Sequence, residues 1–342
     1  MDPFTGILLI ALGSIGAASF YVPFKKVKEW AWESYWITQG IAAWLIAPWL
    51  FAIIFIPRGE LMPIINESPS SAKLMAMFFG ILWGFGGLTF GLSIRYLGVA
   101  LGQSIALGLC AAFGTLIPPI VKGENLFGST AGILTVVGVA ITVAGIAVIG
   151  YAGSLKSKEM SEEEKRAAVK EFALKKGILI AIFAGIMSAC FNFGFEAGKP
   201  IENIALAHGT NPLFQKNPTL IFILFGGFIT NLVYCGYLNI KNKTYLDYIT
   251  PSGNVILNNL AFTFLAGFLW FLQFHFFGMG SSKLPAGMAV FGWSILMALN
   301  IAISNIWGII LKEWKGAKPK TIIILVIGIV VLILSTFIVK LG

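Results

Sequence analysis

Three ionisable side chains stand inside or at the edge of long apolar stretches of this sequence: Glu33, Glu196 and His275. A charge in such a place is costly, and an ionisable group there is a candidate for binding and releasing a proton within a membrane. Imidazole has an ordinary pKa of about 6.5, which makes His275 a natural proton carrier. Each group also has a structural interpretation. His275 would be a neutral, hydrogen-bonded residue between helices, Glu196 would pair with Lys199 one turn on, and Glu33 would form an interfacial ion pair.

Uncharged polar and aromatic side chains in the same stretches form a second group of candidates. An amide that meets lipid without a partner is costly, so these side chains should face inward, where they either bind a substrate or join helices. The tryptophans either stack on a ring of the substrate or belong to the interfacial aromatic belt. The substrate-binding candidates are Gln273, Asn192, Asn305, Gln103, Trp83 and Trp270. Arg95 and Lys199 lie near helix ends, and we predict that they are gates or anchors.

The residue patterns of catalysis and of metal or nucleotide binding are missing from the sequence. It has no spacing typical of zinc ligands and no credible Ser-His-Asp arrangement. The glycines from Gly80 to Gly91 lie within an apolar stretch that lacks the lysine of a phosphate-binding loop, and they indicate close helix contacts or hinge points. We therefore expect neither an enzyme nor a resident cofactor or metal.

The elements that must position these side chains are membrane-spanning helices. Of the 342 residues, 57% are apolar and only 11% are charged, which is too few charges to cover the surface of a soluble protein. One span needs about 20 mostly apolar residues. The sequence predicts an all-α membrane protein with ten spans, at residues 4–24, 34–57, 75–97, 99–121, 128–152, 177–198, 218–239, 258–280, 286–311 and 321–340.

The positive charges are distributed unevenly between the loops. Most of the 24 lysines and arginines fall in alternate loops, and the segment 153–176 is the richest of them. Cytoplasmic loops are enriched in these residues, so we predict that these loops are cytoplasmic and that both termini face outward. The net charge of +9 comes from short clusters between apolar runs, which are topology signals and not a nucleic-acid-binding stripe. Membrane lipid is the expected environment, and no protein partner is indicated.

The charged segment 153–176 also divides the chain into two halves, and its Glu- and Lys-rich run is typical of a solvated cytoplasmic helix. Setting Gly6 against Gly177 aligns the first and sixth spans without gaps and pairs identical residues along both. Because each half has five spans, the second half would enter the membrane in the opposite orientation. We therefore predict two inverted five-helix repeats, residues 1–152 and 177–342, with a substrate site near the midplane, which is typical of a transporter.

Several longer strings resemble one known family. They are residues 20–28 (FYVPFKKVK), 30–33, 82–86, 91–98, 199–200, 270–274 and 311–314. In their sequence and order they resemble bacterial L-rhamnose/proton symporters, from the first span to the last. The resemblance implies a ten-helix fold of the drug/metabolite transporter superfamily, in the cytoplasmic membrane, and uptake of a deoxy-sugar together with protons.

The resemblance implies that the polar candidates contact the hydroxyls of a sugar and that the aromatic candidates contact its ring. Two departures leave the sugar open between L-rhamnose and a related deoxy-sugar: Glu196 stands where an amide is expected, and residues 287–293 lack an acid and a tyrosine that some relatives carry. The alternatives are an exporter or exchanger of another small metabolite with the same fold, and a sugar sensor that does not transport. The predicted repeat argues against the sensor, since only a transporter needs it.

Overall fold

The computed structural model describes residues 2–97, 99–159, 173–310 and 314–341, and in this part of the chain helix is the only regular secondary structure. Ten of the helices are long and apolar enough to cross a membrane, as the sequence predicts. Large apolar side chains remain exposed along them, for example Ile53 at 63% and Val233 at 68%. Such surfaces suit contact with lipid, because water would penalise them. The predicted all-α membrane class is confirmed.

We number the helices in chain order. The first eight are α1 (Pro3–Ser19), α2 (Tyr21–Phe24), α3 (Trp32–Gly40), α4 (Ala47–Phe55), α5 (Leu61–Glu67), α6 (Ser70–Leu97), α7 (Val99–Val121) and α8 (Thr130–Glu159). The others are α9 (Leu174–Ala197), α10 (Lys199–Ala207), α11 (Asn217–Asn242), α12 (Gly253–Ser281), α13 (Gly292–Ile310) and α14 (Pro319–Thr336). Short 3₁₀ turns lie at Leu126–Gly128, Pro212–Phe214, Thr244–Tyr248, Ala286–Phe291 and Phe337–Leu341. Both α8 and α9 extend into the segment 153–176, of which residues 160–172 lie outside the described part.

A π-helical segment, Ile41–Ile46, joins α3 to α4, so that the three pieces form one membrane-spanning helix. The backbone N–H of Ala47 donates to the carbonyl of Ala42, five residues earlier. The cause follows directly in the sequence, where Pro48 has no N–H to donate and its ring would clash with the carbonyl of Trp44 in a regular α-helix. The wider π turn accommodates the proline, and turns of this kind are frequent at functional sites.

The chain forms two compact units that interleave along the sequence. The first unit contains Met1–Ala11, Phe85–Asn192 and Gly280–Gly342, and the second unit contains Leu12–Gly84 and Phe193–Met279. Each unit therefore draws residues from both halves of the sequence. The predicted inverted repeat is a relation between the halves and stays a prediction.

In the first unit, α8 packs against α7 and α14, and α13 packs against the same two helices. Small residues permit the close contacts: a Cβ placed on Gly145 would lie 2.7 Å from the side chain of Leu332. Hydroxyl groups add interhelical hydrogen bonds, such as the one that Thr142 donates to Ser335 at 3.0 Å. Packing through small residues with occasional polar contacts is typical of helices in a membrane.

In the second unit, α3, the π segment and α4 pack along α11. A close approach in this unit joins α6 to α11, at two glycines. A Cβ on Gly80 would overlap the carbonyl oxygen of Ile223, and a Cβ on Gly226 would overlap the carbonyl oxygen of Met77. The backbones of these two helices therefore touch directly, which only glycine allows.

Candidate functional site

Three indole rings meet in the second unit, and we call them the indole cluster: Trp44, Trp83 and Trp270. The ring of Trp44 lies edge to face against both others, with centroids 6.0 Å from Trp83 and 5.9 Å from Trp270. The centroids of Trp83 and Trp270 are 5.5 Å apart. Trp44 is buried, whereas the other two rings are partly exposed. Two predicted candidates are thus brought together, and Trp44, which the sequence analysis missed, is the ring that contacts both.

Beside this cluster lies a polar group that the sequence analysis also missed. Gln39 is 0% exposed, and neither its Oε1 nor its Nε2 has a hydrogen-bond partner among the described residues. The same holds for Nε1 of Trp44. Leaving a buried polar group unsatisfied costs about 1–3 kcal/mol, so such a group calls for an explanation. Like the candidate Gln103, Gln39 is an amide within an apolar stretch of the sequence.

Two of the predicted amides bond to their own helices. Nε2 of Gln273 donates to the carbonyl of Trp270 at 2.9 Å, and Gln273 is 5% exposed. Nδ2 of Asn305 donates to the carbonyl of Ile301, also at 2.9 Å. These contacts agree with the structural interpretation of both residues.

The third amide, Asn192, joins two helices of the first unit. Its Nδ2 donates to the carbonyl of Gly114 at 2.7 Å, which links α9 to α7, and the side chain is 5% exposed. This is the interhelical role that the sequence analysis held open beside substrate binding. The side chains of Gln103 and Arg95 lie outside the described part of the chain, so both residues stay predictions.

Glu33 lies in the first turn of α3 and is 6% exposed. Its Oε1 accepts hydrogen bonds from Nδ2 of Asn242 at 2.9 Å and from Oγ1 of Thr244 at 2.8 Å. These partners are neutral, in contrast to the interfacial ion pair considered as an alternative. Both donors bond the same oxygen. Protonation at Oε2 would therefore leave these two hydrogen bonds in place.

His275 lies in α12 and is 3% exposed. Its Nδ1 is 3.1 Å from Oδ1 of Asn217. Aromatic rings surround the imidazole, with centroids 4.7 Å away for Phe51, 5.0 Å for Phe55 and 5.8 Å for Phe214. This is the hydrogen-bonded histidine between helices that the structural interpretation describes. Its surroundings are less suited to a change of charge than those of Glu33, because burial among apolar rings disfavours the charged form.

Glu196 and Lys199 form the ion pair that their spacing suggests. Nζ of Lys199 is 2.9 Å from Oε2 of Glu196, and the two side chains are 47% and 17% exposed. An ion pair so open to its surroundings contributes at most about 1 kcal/mol to stability. The contact supports the structural interpretation of Glu196 and the anchoring role of Lys199.

A second ion pair, Glu202 with Lys216, is far better buried. Nζ of Lys216 lies 3.0 Å and 3.1 Å from the two carboxylate oxygens of Glu202, and the side chains are 13% and 7% exposed. The ammonium group also lies 4.9 Å from the ring centroid of Phe195. Both charged residues fall between the predicted spans 177–198 and 218–239. Nothing in their spacing of 14 residues indicates that the chain folds back to join them.

Outside the spans, His208 bridges two carboxylates. Its Nδ1 is 2.7 Å from Oε2 of Glu60 and its Nε2 is 2.9 Å from Oε2 of Glu67. Glu60 and Glu67 stand two turns apart at the ends of α5, on one side of the helix, and His208 caps the end of α10. The hydrogen bonds to Glu60 and then to Glu67 raise the pKa of His208 above its ordinary value. Only the doubly protonated ring donates to both carboxylates.

We expect this bridge to make stability depend on pH. A pKa that is higher in the folded than in the unfolded state gives a contribution that is complete below the ordinary histidine pKa of about 6.5 and is lost as the pH rises through the raised value. The thermal unfolding midpoint of the purified protein should therefore fall as the pH is raised above about 6.5. The His208→Gln variant should lack this component of the fall. Parallel pH profiles for the two proteins would contradict the bridge.

Known proteins and one family model are similar to this chain along nearly its whole length. A family model described as L-rhamnose-proton symport protein (RhaT) matches residues 3–342. The chain is similar to proteins named L-rhamnose-proton symporter in Yersinia pestis (strain Pestoides F) and Yersinia pseudotuberculosis serotype O:3 (strain YPIII). Each is 36% identical over 341 residues, which cover 98% of this chain and 97% of the relative.

Proposed function

This chain belongs to the L-rhamnose-proton symport protein family, and we propose that it takes up L-rhamnose together with protons across the bacterial cytoplasmic membrane. The observation that carries the proposal is the extent of the similarity, which includes all ten membrane-spanning helices. The protein is a multi-pass membrane transporter and not an enzyme. Its coupling ion is the proton, and no cofactor takes part.

Transport proceeds by alternating access, in which two five-helix halves expose a central site first to one side of the membrane and then to the other. We assign the halves to residues 1–152 and 177–342, as inverted repeats of the drug/metabolite transporter superfamily. The alignment of Gly6 with Gly177 and the odd number of spans in each half support this arrangement. The segment 153–176 is cytoplasmic and both termini are periplasmic, because the lysines and arginines concentrate in alternate loops.

The sugar binds at the indole cluster, with the ring faces of Trp83 and Trp270 against its apolar side. Aromatic rings suit this purpose because a sugar presents C–H groups on one face and hydroxyls around its edge. The partial exposure of both rings supports the assignment, since a substrate must reach them. Among the predicted amides, Gln273 follows Trp270 by three residues and lies closest to the cluster in sequence. Asn192, Asn305 and Gln103 are the remaining candidates.

Among the candidate proton carriers, Glu33 stands first and Glu196 and His275 follow. Glu33 is buried, its partners are neutral, and a proton on Oε2 leaves both of its hydrogen bonds in place. Protonation from the outside raises the affinity for the sugar, and release of the proton inside lowers it. Only a difference in affinity between the two protonation states can couple the two movements.

The function is tested by uptake of radiolabelled L-rhamnose into proteoliposomes with and without an inward proton gradient. We expect accumulation above the external concentration with the gradient, and equilibration alone when a protonophore collapses it. The reason is that a symporter draws the energy for accumulation from proton entry. Uptake that does not depend on the proton gradient would exclude the coupling of sugar transport to protons. Absence of uptake by a folded sample would exclude L-rhamnose as the substrate.

The same vesicles identify the carrier. Glu33→Gln keeps the shape of the side chain but removes its titration, so accumulation should be lost while exchange of internal for external L-rhamnose continues. Glu124→Gln is the matched control, because Glu124 is an exposed acid in the loop after α7. Vesicles with this variant should accumulate L-rhamnose at the wild-type level. Accumulation by Glu33→Gln at the wild-type level would move the assignment to Glu196 or His275.

A further inference from the structure

We infer that Gln39 and Trp44 form the hydrogen-bonding side of the sugar site, with the Gln39 amide binding two neighbouring hydroxyls and Nε1 of Trp44 binding a third sugar oxygen. This inference rests on the proposed function and adds to it the residues that recognise the hydroxyl groups. Neither residue is among the candidates predicted from the sequence.

The first observation concerns the hydrogen bonding of these groups. Gln39 is 0% exposed and Trp44 is 2% exposed, yet neither amide atom of Gln39, nor Nε1 of Trp44, meets a hydrogen-bond partner among the described residues. Buried amides in proteins are nearly always paired. A side chain that breaks this rule in a transporter is best explained by a ligand that supplies the missing partner.

The second observation places Gln39 and Trp44 on one short stretch of helix. The ring of Trp44 covers Gly40, the residue next to Gln39, so closely that a Cβ at Gly40 would overlap the indole. Trp44 lies within the π segment, and its side chain reaches back along its own helix to Gly40. Gln39 and the indole N–H therefore belong to one short stretch of the same helix.

The third observation connects this stretch with the rest of the indole cluster. A Cβ at Gly267 of α12 would lie 2.5 Å from the carbonyl oxygen of Gln39 and 2.7 Å from the side chain of Ala42. Three residues later on the same helix, Trp270 contacts Trp44. The Gln39 turn and the indole rings thus line the same part of α12.

The chemistry of these groups fits a deoxy-sugar. A primary amide offers one acceptor and two donors, which match the donor and acceptor pattern of two adjacent hydroxyls. The indole faces suit the C–H side of the ring and the methyl group at C6. Because both polar groups are closed to solvent in this conformation, the sugar reaches them when the surrounding helices open, as alternating access requires.

The test compares the wild type with Gln39→Leu, in which an apolar side chain replaces the unsatisfied amide. We expect the half-saturating concentration of L-rhamnose to rise at least about tenfold, because two hydrogen bonds to the sugar are lost. We also expect the sugar-free variant to unfold at the same temperature as the wild type or a higher one, since a buried unsatisfied amide is removed. A stabilising role for Gln39 within the protein would give the opposite shift.

The matched control is Thr38→Val. Thr38 is the adjacent buried residue, and its hydroxyl already donates to the carbonyl of Ser34 at 2.7 Å within the same helix. The half-saturating concentration of L-rhamnose for Thr38→Val should stay within about twofold of the wild-type value, because the Thr38 hydroxyl is already bonded within its own helix and does not reach the sugar.

Monodeoxy analogues of L-rhamnose sharpen the test. At least one analogue that lacks a ring hydroxyl should bind about tenfold more weakly than L-rhamnose to the wild type, and as well as L-rhamnose to Gln39→Leu. Equal discrimination by both proteins, or an unchanged half-saturating concentration in Gln39→Leu, would overturn the inference and leave L-rhamnose transport standing. Lack of L-rhamnose transport by the wild type would instead refute the proposed function.

Discussion

Replacing Lys216 with methionine is expected to lower the free energy of unfolding by about 3–5 kcal/mol, because it leaves the buried carboxylate of Glu202 without its counter-charge. Glu202 is 7% exposed, so its charge has little access to solvent. It must either stay charged in an apolar environment or take up a proton, and both are costly. Methionine retains most of the lysine stem and its packing. Chemical unfolding in detergent, followed by tryptophan fluorescence, measures the change.

A double variant separates the charge from the packing. Glu202→Gln alone should also destabilise the protein, since it leaves Lys216 buried and unpaired, whereas Glu202→Gln combined with Lys216→Met should recover most of the loss. Strict additivity of the two single changes would show that the pair is not coupled. Lys199→Met is the matched control, because Lys199 belongs to an ion pair in which it is 47% exposed, and it should change stability by at most about 1 kcal/mol.

Gly80→Ala is expected to destabilise the protein by about 3 kcal/mol or more, at the upper end of the range for overpacking. The added methyl group would overlap the carbonyl oxygen of Ile223 on α11, and a backbone atom cannot rotate away as a side chain can. Gly226→Ala should have a similar effect through the carbonyl oxygen of Met77. The unfolding midpoint and the yield of folded protein after extraction are the measurements.

Gly87→Ala is the control on the same helix. A Cβ on Gly87 meets nothing within 4 Å, so the change should be neutral or stabilise the helix by up to about 1 kcal/mol, since alanine favours helix more than glycine does. If Gly80→Ala proved as well tolerated as Gly87→Ala, the direct backbone contact between α6 and α11 would be wrong.

These glycines show where inference from sequence stops. The glycine-rich stretch predicts close helix contacts or hinge points, and close contact is confirmed for Gly80 and for Gly84, whose Cβ would lie 2.7 Å from the side chain of Thr230. Gly87 and Gly91, in the same stretch, meet nothing within 4 Å. Composition reveals that a helix has small residues, but the choice among them depends on which face meets a neighbour.

The two ion pairs differ in how far the sequence predicts them, for a related reason. Glu196 and Lys199 are three residues apart, and from this spacing the sequence offers their ion pair as one of two interpretations of Glu196, beside a proton site. Glu202 and Lys216 are joined only because the segment between α10 and α11 folds back. The sequence indicates contacts between residues a few positions apart. It does not predict contacts that depend on how the chain folds back.

The sequence by itself was enough to predict the ten membrane-spanning helices and to reveal the resemblance to the family. It also shows no catalytic residue pattern. Hydrophobic length and ordered strings of residues are local properties of the chain, so they can be recognised without the structure. Only the tertiary structure brought Trp83 and Trp270 to Trp44, paired Glu33 with Asn242 and Thr244, and left the Gln39 amide without a hydrogen-bond partner among the described residues. Helices of nearly equal hydrophobicity do not reveal which face each turns toward its neighbours. Packing decides that orientation, and with it which polar groups are satisfied within the protein.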